Sequence, residues 1–169
     1  KYDAPIVDSC GRVERTRCRW RAYAPDAAGR KVGAGGNLGP AALDRLELDA
    51  DVYLLELSSF QLERSRKLPA NAAVILNIAT DHLDQHVTAK RYTAAKARIY
   101  RACRTAVVNR DAPAAMALVP SGAPQLSFGL DSPDAGQWGV RTVDSWEFIA
   151  RGVDCVMAVN QLPLIGRHN

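Results

Sequence analysis

What most constrains this chain is a set of short, continuously apolar runs separated by stretches of helical character. Asp51-Val-Tyr-Leu-Leu-Glu-Leu57, Ala73-Val-Ile-Leu-Asn-Ile78 and Thr105-Ala-Val-Val-Asn109 are too short for amphipathic helices and lack the alternation of a strand with one wet face. They read as strands covered on both faces, the mark of a parallel sheet. Ala4-Pro-Ile-Val7 reads as a further strand. Helices are predicted over 40–48, opening with Pro40 at a permitted first-turn position, over 59–67, and over 89–103, where Ala94, Ala95, Ala97 and Ala102 favour helix. Such alternation predicts an α/β fold, a mostly parallel sheet flanked by helices with right-handed crossovers.

Past about residue 120 the pattern changes. Ser121-Gly-Ala-Pro124 and Asp131-Ser-Pro-Asp-Ala-Gly136 are turn-forming clusters. Short runs such as Trp146-Glu-Phe-Ile149 and Val153-Asp-Cys-Val-Met157 follow, and they predict a small antiparallel addition to the sheet.

Composition narrows the class of function. An apolar fraction of 47% with 24% charged residues over 169 residues suits one globular domain. No apolar run approaches the roughly 20 residues of a membrane span, and the start Lys-Tyr-Asp-Ala-Pro lacks the apolar segment of a secretory leader. Cys10, Cys18, Cys103 and Cys155 show neither CxxC nor metal-ligand spacing, so a reduced, cytoplasmic protein is the expectation. The net charge of +4 resides in residues 11–21, which hold five Arg and one Glu; the remaining residues balance. A broad nucleic-acid surface is therefore not expected, although five Arg interleaved with Trp20 keep a small nucleic-acid module as an alternative.

The chemistry-bearing residues stand just past the predicted strands, where open α/β sheets carry their ligand sites. Glu56, followed by Ser58 and Ser59, is placed either to hold Mg²⁺ by an oxygen or to cap the next helix. In Asn77-Ile-Ala-Thr-Asp-His-Leu-Asp84, His82 with Asp81 can serve a metal or a phosphoryl group; alternatively Asp81 is a helix N-cap and His82 an ordinary surface residue. Glu56 and His82 are expected on neighbouring strands. Lys96, beside Arg98 on the 89–103 helix, reads as solvated. Asn37, in Gly35-Gly-Asn-Leu-Gly39, suits a tight turn. His86 and Lys90 read as surface residues.

Taken together, Gly-Gly-Asn-Leu-Gly, Leu-Glu-Leu-Ser-Ser-Phe-Gln-Leu-Glu, Asn-x-x-x-Asp-His-Leu-Asp, Ala-Ala-Lys-x-Arg-Ile-Tyr and the terminal Gly-Arg-His-Asn resemble the central domain of the Mur ligases, in particular its D-glutamate-adding branch. That resemblance implies a cytoplasmic enzyme of peptidoglycan synthesis. In it ATP phosphorylates the carboxylate of UDP-N-acetylmuramoyl-L-alanine, and the amine of D-glutamate attacks the acyl phosphate. It further implies that Glu56 binds one Mg²⁺, that His82 and a carbamylated Lys96 bind a second, that Asn37 and Ser58 contact the UDP-muramoyl substrate, and that Asn169 approaches the adenine. A monomer without nucleic-acid or membrane partners is expected.

Where the family carries Gly-x-Asn-Gly-Lys-[Ser/Thr]-[Thr/Ser], residues 8–30 hold an Arg-rich stretch instead. A phosphate loop needs a ring of backbone N–H groups and a Lys. The family's uridine-binding and C-terminal domains are also absent from these 169 residues. The expectation is a partial central domain, inactive as it stands, or a non-catalytic UDP-sugar-binding remnant. Retained spacing with lost pattern in 8–26 reads as a stretch translated in a shifted frame.

Overall fold

The computed structural model describes residues 6–8, 29–37, 40–78 and 89–162. Among the described residues nine strands form one sheet in the order β2-β3-β1-β4-β5-β6-β7-β8-β9. These are β1 (Ile6–Asp8), β2 (Val32–Gly36), β3 (Val52–Glu56), β4 (Ala70–Ile75), β5 (Cys103–Asn109), β6 (Gln125–Phe128), β7 (Trp138–Val143), β8 (Trp146–Arg151) and β9 (Asp154–Ala158). Pairing is parallel from β2 through β7 and antiparallel for β7-β8-β9. The mixed architecture expected from the apolar runs and from the change past residue 120 is thus present.

Central β4 shows why its sequence is apolar without alternation. Ala73 and Ile75 pack into a core with Leu57, Leu62, Ile99, Tyr100, Ala106 and Val108. Val74 and, two residues on, Leu76 pack on the opposite side with Leu54, Val107 and Phe128. Both faces are covered, and both need apolar side chains.

The helices are shorter than predicted. They are α1 (Ser59–Arg64), α2 (Ala89–Ala97) and α3 (Pro113–Met116). The helix expected over 40–48 is a 3₁₀ turn, Leu43–Leu48, because the Pro40 carbonyl accepts the Gly36 N–H and holds the first residues in a turn. The 89–103 stretch is α-helical only to Ala97, then 3₁₀ over Arg98–Ala102. The strand predicted over 73–78 is Ala70–Ile75, three residues earlier, since its partner β5 already begins alongside Ala70 at Cys103.

Strand β2, Val-Gly-Ala-Gly-Gly, was not expected. Glycine weakens strands in general, but here it has a steric role. A Cβ on Gly33 would lie 2.8 Å from the Tyr53 ring, inside van der Waals contact.

One guanidinium joins the parallel and antiparallel parts of the sheet, where β6 and β7 share a single residue pair, Phe128 with Trp138. Arg110, just past β5, donates through Nε to Asp131 at 3.1 Å, through Nη1 to Ser127 Oγ at 3.0 Å and through Nη2 to the Trp138 carbonyl at 3.0 Å. A Cβ on Gly129 or Gly139 would lie 3.0 or 3.2 Å from its Nη2, so both glycines make room for it. The hydrogen bond from Arg110 holds the Asp131 carboxyl below its ordinary value. A depressed carboxylate stabilises the fold above its unfolded pKa, about 4, and that contribution fades as pH falls through the folded value.

Arg110→Met should therefore lower the opening free energy of β7–β9 by about 2 kcal/mol, seen as faster hydrogen exchange there than in β3–β5. Asp131→Asn should remove the acid-sensitive part of that protection below about pH 4. Unchanged exchange in Arg110→Met would contradict the role given to Arg110.

Candidate functional site

In a parallel sheet every strand delivers its carboxyl end to one edge, and β1 occupies the switch point. From β1 the chain passes to β2 on one side, and it later crosses from β3 to β4 on the other. Ligands in open α/β sheets bind outside such a point. Val7 pairs with Glu56 of β3, and Asp8 pairs with Ile75 of β4.

This order corrects one expectation. Glu56 and the segment after β4 are not on neighbouring strands, because β1 lies between β3 and β4. Consecutive strands are often adjacent in space, but here the crossover spans a strand already in place. Residues 9–28, which follow β1, lie outside the described residues.

Glu56 is only 5% exposed at the end of β3. Its carbonyl accepts the Asn37 N–H at 2.7 Å, which closes the end of β2 onto β3. The closure depends on Gly36, whose φ of 118° is one that L side chains rarely adopt, and a Cβ there would lie 2.1 Å from the Glu56 oxygen. Asn37 itself is exposed. The expected tight turn at 35–37 is therefore a strand end docked on the candidate carboxylate.

Glu56 does not cap the next helix; Ser58 does. The Ser58 oxygen accepts the Gln61 N–H at 3.3 Å while Gln61 Oε1 accepts the Ser58 N–H at 2.9 Å, a reciprocal capping box. The Ser58 hydroxyl also donates to Gln61 Oε1, which leaves it one lone pair.

Lys96 is not solvated. It is 1% exposed in the last turn of α2, with its Nζ 5.3 Å from the Tyr92 ring centroid, a cation–π distance. Arg98 is also engaged, donating through Nε to the Leu62 carbonyl at 2.8 Å and through Nη2 to that of Ser65. Lys90 is exposed, as expected. His82, Asp81, His86 and Asn169 lie outside the described residues.

Three residues beside these had no role in the sequence reading. Tyr100 Oη accepts the Ile75 N–H at 3.0 Å, and Asn109 Nδ2 donates to the Leu76 carbonyl at 2.9 Å, so two side chains fix the carboxyl end of β4. Asn77 follows, its buried Oδ1 accepting no hydrogen bond among the described residues. Tyr100 and Asn77 stand in the quoted motifs, which were the available signal; Asn109 ends an apolar run and gave none.

Among the described residues no three His, Cys, Asp or Glu side chains cluster as a metal site. The donors that are present suit a hard cation: a buried carboxylate at Glu56 and a buried amide oxygen at Asn77, both oxygen ligands. None of the helices among these residues is long and apolar enough to cross a membrane.

Residues 38–169 match the Mur ligase middle domain. The chain is 43% identical over 143 residues to the UDP-N-acetylmuramoylalanine--D-glutamate ligase of Pseudomonas syringae pv. tomato, covering 85% of this chain and 32% of that protein. To the enzyme of the same name from Marinobacter nauticus it is 39% identical over 168 residues, 99% of this chain and 38% of the relative. It thus spans about a third of the length of the curated relatives it matches. Among solved structures, the MurF ligase of Thermotoga maritima in complex with ADP superposes with a TM-score of 0.67 at 19% identity, over 94% of this chain and 40% of that one. MurF from Acinetobacter baumannii gives 0.67 at 17% identity, over 99% and 40%. The fold is that of these ligases.

The docking of β2 on Glu56 makes a measurable demand. Gly36→Ala combines backbone strain with a clash and should destabilise the chain by about 3 kcal/mol in urea unfolding. Gly122→Ala, at a positive φ with open space around it, should cost about 1 kcal/mol. Equal losses would show that contact with Glu56 is not what Gly36 provides.

Proposed function

This chain belongs to the Mur ligases, and we propose that it is the ATP-handling middle segment of a ligase joining D-glutamate to UDP-N-acetylmuramoyl-L-alanine in peptidoglycan precursor synthesis. The observation that carries this reading is the buried Glu56 carboxylate at the end of β3, beside the end of β1 at the switch point. The D-glutamate specificity rests on the names of the relatives.

Within this reading ATP transfers its γ-phosphoryl group to the substrate carboxylate. The D-glutamate amine then attacks the acyl carbon, and phosphate leaves as the amide forms. Glu56, His82 and Lys96 are the proposed Mg²⁺ ligands, and bound Mg²⁺ would neutralise phosphate charge and align the transfer. A lysine can join this set only as a carbamate. Its neutral amine adds to CO₂ and loses a proton, so a cation becomes an anionic oxygen donor. Asn37 and Ser58 are the proposed contacts of the UDP-muramoyl substrate, with Ser58 offering the lone pair left by its cap. Asn169 is proposed at the adenine.

A second reading has one observation in its favour. The sequence after β1 carries no Gly-Lys-[Ser/Thr] loop, and a chain that keeps Asn37 and Ser58 without the phosphate cradle would bind a UDP-sugar and not turn over.

A chimera in which the host ligase supplies that loop tests whether residues 31–162 keep the rest of the ligase site. Residues 31–162 placed in the Pseudomonas syringae ligase, in place of their aligned counterpart, should give D-glutamate-dependent phosphate release from ATP. Lys96→Ala in that chimera should lose about 100-fold or more in kcat, with partial recovery on adding a short-chain carboxylic acid. Full activity in Lys96→Ala would refute the carbamate role, and an inactive chimera that still binds the UDP-sugar would favour the remnant.

A further inference from the structure

The motif Ala-Ala-Lys-x-Arg-Ile-Tyr contains two residues that the proposed reaction leaves without a task, and both are anchored. Tyr100 is 4% exposed, and its hydroxyl accepts the buried Ile75 N–H, at the carboxyl end of β4. Arg98 holds the Leu62 and Ser65 carbonyls. These close α1, the helix that begins three residues after Glu56. The Lys96 segment is thus tied at one point to the strand that leads toward His82 and at another to the element that follows Glu56.

Helix α2 leads back from the carboxyl edge to the start of β5, and helical side chains lean toward the helix N-terminus. Lys96 and Tyr100 therefore both lean toward the carboxyl edge, with Lys96 one turn nearer to it. Tyr92, Lys96 and Tyr100, spaced four apart, are all buried.

We propose that Tyr100 and Arg98 are positioning residues that set the height and orientation of Lys96 at the carboxyl edge of the sheet, a claim that rests on the ligase reading above. If a metal ligand is built on a lysine, its reach must be fixed through the backbone, since the flexible four-carbon stem does not fix it. Tyr100 and Arg98 supply that constraint from two directions. Rotation of the segment about either anchor alone would move Lys96, and the second anchor prevents it.

The test uses the chimera carrying residues 31–162. Tyr100→Phe keeps the ring and removes the hydroxyl; Arg98→Lys keeps the charge but not the fork that reaches two carbonyls. Each should lower kcat about tenfold with KM for all three substrates within about twofold of the parent, the pattern of displaced catalytic geometry. Each should also weaken the ¹³C-carbamate resonance of Lys96 at fixed bicarbonate, with partial recovery as bicarbonate is raised. Tyr53→Phe supplies a control for removing a buried tyrosine hydroxyl: it loses a longer, local hydrogen bond, from the Ala50 N–H at 3.4 Å, and should leave kcat and the resonance unchanged.

Values of kcat and carbamate signal in Tyr100→Phe that match the parent, or that change no more than in Tyr53→Phe, would overturn the proposal. Should the parent chimera release no phosphate, the ligase reading fails. The positioning claim is then decided in the same protein by the Lys96 resonance and by hydrogen exchange of the Ile75 amide, and no change in either on Tyr100→Phe would overturn it.

Discussion

The insertion of β1 between β3 and β4 is the constraint on which the rest depends. Three parallel strands end at one edge, and the middle one arrives first in sequence, so the chain must leave it in one direction and later pass over it in the other. Ligand sites of open α/β sheets lie outside such a crossing. Glu56 borders it on the β3 side, and Asn77, two residues past Ile75, lies on the β4 side. Covering both faces of these strands needs the uninterrupted apolar runs, and the polar residues follow where the runs stop.

Precision at that edge comes from polar contacts around an apolar core. The Glu56 carbonyl is held by the Asn37 N–H, the start of α1 by the Ser58 and Gln61 box, and the end of β4 by Tyr100 and Asn109. Burial of the surrounding Leu, Ile and Val residues fixes which elements pack together. Hydrogen bonds to strand-end backbone groups, each costly to leave unmade, then fix where the elements stop. A site built this way tolerates variation in its loops better than in its strand ends.

Much of this was legible in the chain. The runs at 51–57, 73–78 and 105–109 announced parallel strands because burial on both faces erases alternation. The short runs at 146–149 and 153–157 announced the antiparallel end of the sheet, whereas β6 and β7, which follow the clusters at 121–124 and 131–136, still pair in parallel. Strand β2 was hidden because a run with three glycines in five residues reads as a turn; the Tyr53 ring beside Gly33, the Pro40 carbonyl beside Gly35 and the Glu56 carbonyl beside Gly36 explain those glycines. The burial of Lys96 was hidden for a similar reason, since a lysine beside an arginine on a helix looks solvated until Tyr92 and the core beneath are in place. Strand order was beyond local pattern altogether, because nothing in β3 or β4 records that β1 lies between them.

The central claim is that the carboxyl edge beside β1 holds two divalent cations, one on Glu56 and a second on a carbamylated Lys96. Crystals of the chimera grown with Mn²⁺ and a non-hydrolysable ATP analogue would test it through the manganese anomalous signal. An anomalous peak ligated by a Glu56 oxygen, with a second ligated by a carbamate on Lys96, is the predicted result. Manganese bound elsewhere, with Glu56 and an unmodified Lys96 making only protein contacts, would contradict it.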